Sequence, residues 1–281
     1  MLTISIDPVA FTIGSLTVRW YGIMAAIAVI SMLFIVPREA KRLGITQDLY
    51  SLFIWCIIGG FVGSRLTYVI GDWESFVADP RSIFAFGGQA QNGMVVGVIV
   101  AALIYMLVTR MRFPTLLNIG DAAAVGMPLA LAIGRVGCTL NGCCFGKLSP
   151  FQSFPGAVIY APRPPETLLR DWYHLPTQYM GVPLYPTQIY HVLWNLITFA
   201  IVWRFRDKFK PPGSLLFFYL CLYAAGDFGI RFLRVGELVF LGLQQAQVIS
   251  LVIFVVFLPW LIIKMRRFQP APQSEAEANN S

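Results

Sequence analysis

Five arginines interrupt or end apolar stretches of the chain: Arg19, Arg65, Arg135, Arg231 and Arg234. A guanidinium inside an apolar helix is costly and marks function by default, although one at a helix end can also snorkel to the headgroups. Arg135 has a further turn of apolar chain beyond it, which argues against snorkelling there. The planar fork of arginine matches phosphate oxygens, so a shared phosphate is the natural ligand for such a set. Asp227, Arg231 and Arg234 are spaced i, i+4, i+7 and share one helix face, where Arg231 best neutralises Asp227. Gln188, His191 and Asn195 form a second polar stripe at i, i+3, i+7. His191 titrates near neutrality and is either a general base or a hydrogen-bonded structural residue.

Cys138, Cys143 and Cys144 fall within GRVGCTLNGCCFG, residues 134–146. That spacing lacks the histidine or second cysteine pair of a zinc site. A thiol-redox role stays open, although adjacent Cys143 and Cys144 would close a strained ring. Gly59, Gly60 and Gly63 precede Arg65 and read as close helix packing. Gly87-Gly88 through Asn92-Gly93 opens another apolar run, whose helix N-terminus can present N–H groups to a phosphate.

These residues are carried by an unusually apolar chain. Of 281 residues, 57% are hydrophobic and 12% charged, against about 25% charged in soluble domains. The 14% aromatic content excludes a disordered protein, and five cysteines are too few for a disulfide scaffold. The net charge of +7 sits among apolar runs, so it faces anionic lipid and not nucleic acid. Seven runs are long enough or nearly so to cross a bilayer: about 16–36, 49–70, 93–110, 117–140, 187–204, 214–233 and 246–264. They do not alternate as barrel strands do. The expectation is an all-α integral membrane protein, a bundle of about seven transmembrane helices.

Basic short loops stay in the cytoplasm. The 37–48, 110–116 and 204–213 loops and the segment from Lys264 onward hold 12 of the 21 basic residues. All four share one side if the N-terminus is outside and the C-terminus cytoplasmic. The five arginines then lie near the outer leaflet, where a phosphate belongs to a phospholipid headgroup. The first 15 residues lack a basic n-region, so no cleavable signal peptide is expected. Residues 1–268 read as one transmembrane domain with an extracytoplasmic loop at 141–186, rich in proline and aromatics and able to cap a site. Residues 269–281 read as a disordered cytoplasmic tail.

Five stretches in order resemble the bacterial prolipoprotein diacylglyceryl transferase family: IDPVAFTIGSLTVRWYG (6–22), GGFVGSRLTYVI (59–70), GGQAQNGMVVG (87–97), GRVGCTLNGCCFG (134–146) and LYPTQIYH (184–191). The resemblance implies transfer of diacylglycerol from phosphatidylglycerol to the lipobox cysteine thiol of prolipoproteins, with a thioether formed and glycerol phosphate released. It carries Tyr21, Arg135, Asn141 and Gly146 over as functional positions. This chain has Cys138 and Cys143 where the family pattern GRxGNFxNxE has its first Asn and its Glu, and Asn92 where a His is frequent. Its Asp227–Arg231 order inverts the family's Arg-then-Glu pair. The GCCxG form of the signature resembles a recognised branch of the family.

The residues and the resemblance together define an expected enzyme of the bacterial cytoplasmic (inner) membrane. Its catalytic residues would be Tyr21, Arg135 and His191. Arg65, Asn92, Asn141, Gly146, Arg231 and Arg234 would bind substrate. The partners implied are phosphatidylglycerol, prolipoprotein signal peptides with a lipobox cysteine, and the bilayer. Nucleic acid is not among them, and no metal or soluble cofactor is required. Two other classes use the same residues differently. One is a non-enzymatic phospholipid-binding or transport protein, weakened by the lack of an internal repeat. The other is a membrane thiol oxidoreductase using Cys138, Cys143 and Cys144.

Overall fold

The structure, a computed structural model, describes residues 2–14, 16–71, 73–80, 91–161 and 175–267. Gly87, Gly88, part of the 141–186 loop, the side chain of Asn92 and the 269–281 tail therefore lie outside the described residues.

Eight helices run through the described chain: α1 Trp20–Arg42, α2 Leu49–Gly71, α3 Trp73–Ala78, α4 Gln91–Val108, α5 Phe113–Asn141, α6 Thr187–Phe205, α7 Ser214–Ile230 and α8 Gln245–Arg267. Five stretches are long and apolar enough to cross a membrane: α1, α2, α5, the α7 stretch through Leu233, and α8 up to Arg266. The protein is thus a mostly helical, multi-pass membrane protein. The two remaining apolar runs of the sequence form α4, whose apolar part is Gly93–Val108, and the 19-residue α6. Pro37, Pro128 and Pro259 lie inside α1, α5 and α8. Spanning helices tolerate proline because their surroundings re-satisfy the freed backbone groups.

Short strands supplement the helices. β1 Leu2–Ile4, β4 Val158–Tyr160 and β5 Pro183–Leu184 form a three-stranded sheet in the order β1-β4-β5. β2 Val9–Ile13 with β3 Leu16–Arg19, and β6 Leu238–Phe240 with β7 Leu243–Gln244, form two small antiparallel pairs.

The chain divides into two compact units, Met1–Glu39 with Ile119–Ser281, and Ala40–Asn118. In the smaller unit α2 packs on α4 through glycines. A Cβ on Gly63 would sit 2.3 Å from the Gly93 carbonyl oxygen, and one on Gly97 would sit 2.1 Å from the Gly59 carbonyl oxygen. Lipid tails are as apolar as leucine, so van der Waals contact at such close approach is what joins the two helices. Asp48 caps α2, accepting from the backbone N–H groups of Tyr50 at 3.0 Å and Ser51 at 3.3 Å.

In the larger unit α5 is the most buried spanning helix. Its small residues Ala122, Ala124 and Gly126 are buried and let neighbours approach. One core joins Ala124 and Val125 of α5 to Val202 of α6 and to Leu215 and Tyr219 of α7. A second joins Ile4, Val158, Tyr160, Leu175 and Leu184, so the described parts of the long loop are packed against the N-terminal strand. Asp121 of α5 accepts from the backbone N–H groups of Gly213 at 2.6 Å and Leu216 at 2.8 Å. A carboxylate from one spanning helix thereby satisfies the orphan donors opening another.

Candidate active site

The sequence Gly-Arg-Val-Gly at the end of α5 explains how two helices meet. A Cβ at Gly137 would lie 3.0 Å from the Met24 side chain and 3.4 Å from the Tyr21 backbone, so its absence brings α1 against α5 beside Arg135. Arg135 is buried, at 7% exposure, and among the described residues no carboxylate lies within ion-pair distance of it. Its guanidinium is within electrostatic reach of Cys138, Cys144, Tyr223 and Asp227. Tyr21, 38% exposed, is in reach of Arg135 and all three cysteines.

After Asn141 the chain reverses. Gly142 and Cys144 have left-handed backbones, with φ of 65° and 62°. Cys143 N–H returns to the Cys138 carbonyl at 3.2 Å. The reversal gathers the sulfurs of Cys138, Cys143 and Cys144 within 4.8 Å of one another. Side chains of the 187–188 corner hold it from outside. Thr187 Oγ1 donates to the Cys144 carbonyl at 3.0 Å, and Gln188 Nε2 to the Cys143 carbonyl at 2.9 Å. Donation from the Cys138 and Cys143 thiols, with the guanidiniums of Arg234 and Arg135, holds the Cys144 thiol far below its ordinary range. Cys143, its own proton shared with Cys138 and Cys144, is pushed up.

Residues 145–148 then stitch three segments together. Val235 N–H donates to Phe145 O, Lys147 N–H to Leu233 O, and Tyr185 N–H to Lys147 O. Gly146 pairs with Arg234 across this seam, and a Cβ on it would sit 2.3 Å from the Tyr185 carbonyl oxygen. The need for glycine here is close backbone approach, and its consequence is that Arg234 is fixed beside the cysteine turn.

α7 supplies the counter-charge. Arg231 Nε donates to Asp227 Oδ2 at 2.6 Å, the ion pair that the i, i+4 spacing predicts. Ser250 of α8 adds a hydrogen bond to the same oxygen at 3.2 Å. The other oxygen, Oδ1, faces His191 Nε2 across 3.9 Å, and among the described residues neither atom has a hydrogen-bond partner. His191 is 1% exposed, and Asn195, one stripe position further on, donates to its carbonyl at 2.7 Å. Arg234 Nη1 is buried and has no hydrogen-bond partner among the described residues.

The larger unit therefore brings together Tyr21, Arg135, His191, Arg231 and Arg234 from the predicted set. Asn141 lies at the end of α5 and accepts from Arg19 Nη1 at 3.4 Å. Arg65, buried in α2, and Asn92, at the start of α4, belong to the other unit. Sequence reasoning missed Gln244, whose amide donates to the Arg231 and Arg234 carbonyls at 3.2 and 2.9 Å. It also missed Tyr160, which ties the loop strand to the end of α5 through the Thr139 carbonyl at 3.1 Å. Both are ordinary polar residues in unremarkable spacing, and only the tertiary contact gives them a role. Three guanidiniums and one carboxylate leave these four side chains with an excess of two positive charges.

Residues 8–263 match the family described as prolipoprotein diacylglyceryl transferase. A protein of Dehalococcoides mccartyi is 36% identical over 281 residues, covering 99% of this chain and 100% of the relative. One of Clostridioides difficile is 34% identical over 88% of this chain and 90% of its own length. Another, of Staphylococcus carnosus, is 30% identical over 97% and 96%. All three are named phosphatidylglycerol--prolipoprotein diacylglyceryl transferase. With the match running from the first strands to the last helix, the chain belongs to the prolipoprotein diacylglyceryl transferase family.

Proposed function

We propose that this chain is a phosphatidylglycerol--prolipoprotein diacylglyceryl transferase of the bacterial cytoplasmic membrane, with its N-terminus outside and its C-terminus inside. It moves the diacylglycerol of phosphatidylglycerol onto the lipobox cysteine of a prolipoprotein signal peptide. The observation that carries the reading is the buried guanidinium of Arg135, which has no carboxylate partner among the described residues and lies in electrostatic reach of Tyr21 and the 138–144 turn. Burial of an unpaired charge is expensive, so an anionic ligand is the natural complement.

Arg135 and Arg234 grip the lipid phosphate, because Arg231 is already engaged by Asp227. Tyr21 stands at the opening of α1 beside them. The substrate thiol gives up its proton to a base within the site, for which His191 and Tyr21 are the two candidates. Its sulfur attacks the sp3 carbon of the glycerol backbone, and the sulfur–carbon bond forms as the carbon–oxygen bond to phosphate breaks. Glycerol phosphate leaves with the electron pair, and the two arginines stabilise the charge it gathers. Asn141 and Gly146 complete the substrate-binding set within this unit. The described parts of the 141–186 loop order the headgroup side and guide the peptide.

The test is transfer from phosphatidylglycerol to a lipobox peptide, read by mass shift. Arg135→Lys keeps the charge and loses the fork. The charge-assisted hydrogen bond at stake contributes about 1.5–3 kcal/mol, so turnover should fall roughly ten- to hundredfold with folding intact. Near-normal turnover would remove Arg135 from the phosphate site.

A further inference from the structure

The cysteine turn is not used by this mechanism, yet it is built with care. Two left-handed residues, Gly142 and Cys144, turn neighbouring side chains that would otherwise diverge toward one point. A left-handed backbone is uncommon for a residue other than glycine, and such strain collects at functional sites. Two carbonyls of the turn are fixed by Thr187 and Gln188, both fully buried. The three sulfurs span at most 4.8 Å. Sulfurs on a tetrahedral zinc at about 2.3 Å lie roughly 3.8 Å apart, so side-chain rotation closes the difference.

Resting on the transferase reading, we propose that Cys138, Cys143 and Cys144 hold one thiophilic divalent cation of the zinc class, whose fourth position receives the substrate's thiol. Three protein ligands and one open position are the plan of a catalytic metal site; structural sites close all four. A disulfide would use two of the sulfurs and leave the third unexplained. Charge favours the cation as well. Three thiolates and a divalent cation carry one negative charge, and the lipid phosphate adds another. Together they match the two positive charges left over by Arg135, Arg231, Arg234 and Asp227.

The chemistry follows. The incoming thiol binds the cation and loses its proton to the base of the site, as metal–thiolate formation requires. The bound thiolate attacks the glycerol carbon, with the carbon–oxygen bond breaking and glycerol phosphate departing with the electron pair. The product thioether is neutral and a poorer ligand, so it leaves and reopens the position. Metal coordination is an established way to activate a nucleophile near neutral pH.

The full chain, purified in detergent, is titrated with Co2+ and with Zn2+. One metal ion should bind per chain, and cobalt should give a thiolate-to-metal absorption band. That band should disappear in each of Cys138→Ser, Cys143→Ser and Cys144→Ser. A lipobox peptide should shift the band of the wild-type protein, and the same peptide with serine for cysteine should leave it unmoved. Stripping the wild-type chain with a chelator should abolish transfer, and zinc should restore it, a comparison that needs no variant to fold. Undiminished transfer by a metal-free chain would overturn the proposal and leave the transferase standing. A cobalt band indifferent to the cysteine peptide would also overturn it. A band that responds, in a chain that transfers no diacylglycerol, would uphold the metal site and defeat the transferase reading.

Discussion

Asp227 and Arg231 are residues that an apolar helix accepts only together. Their spacing made the pair legible in the sequence, because i and i+4 share a face whatever the neighbouring helices do. Removing either partner strands the other charge, at about 3–5 kcal/mol for a buried pair. Asp227→Ala and Arg231→Ala should each lower the thermal unfolding midpoint in detergent and depress transfer. The exchange of both, Asp227→Arg with Arg231→Asp, should recover part of the loss. Recovery should be incomplete, since the Ser250 hydroxyl now donates to a carboxylate at 227 and an arginine there cannot accept it. A double variant no more stable than the worse single one would show that the pair does not act as a unit. Gln244 was not legible in this way: it reaches the 231–234 turn from the start of α8, and no spacing rule links positions ten or more residues apart across a turn.

At the scale of elements, helices were readable and their partners were not. Long apolar runs have to form helices in lipid, because no other local structure satisfies their backbone. Gly59 and Gly63 announced a close contact, but a pattern on one helix does not say which helix receives it. The receiver is Gly93 and Gly97 of α4; for Gly93 the sequence suggested a helix N-terminus presenting N–H groups to a phosphate. The short strands were illegible for another reason: two to five residues are too few to display a period of two. The glycine contact makes a direct prediction. In Gly97→Val the new Cβ meets the backbone carbonyl of Gly59, which cannot swing aside. Overpacking of this kind costs about 1–3 kcal/mol, so the unfolding midpoint should drop clearly. Gly71→Ala, with no described residue within 4 Å of the added Cβ, should leave it nearly unchanged. Equal midpoints for the two variants would mean that α2 and α4 do not depend on this contact.

For the molecule as a whole, the site is a consequence of how separate helices are brought to one place, and that is where sequence reasoning reaches its limit. Tyr21 comes from α1, Arg135 from α5, His191 from α6, and Arg231 and Arg234 from the end of α7. Their residue types could be picked out singly, as charges and hydrogen-bonding groups out of place in apolar chain. Their convergence rests on small-residue contacts such as Gly137 with α1 and on the seam through Gly146, which no composition reveals. Which side of the membrane this convergence faces is set by another whole-chain property, the distribution of lysine and arginine. Arg38, Lys41 and Arg42, then Arg110 and Arg112, then Arg204, Arg206, Lys208 and Lys210, then Lys264, Arg266 and Arg267 cluster at alternate turns of the chain. Short basic segments resist translocation, so the proposed orientation places all four clusters in the cytoplasm. Arg135, near the opposite end of α5 from the 110–116 loop, then meets the outer leaflet, where a secreted prolipoprotein presents its cysteine. Reporter fusions at residues 208 and 275 should both read as cytoplasmic, and one at residue 150 as external. A fusion at 208 that reads as external would put the arginine site on the cytoplasmic face, away from a lipobox thiol emerging outside, and the transfer reaction would lose its geometry.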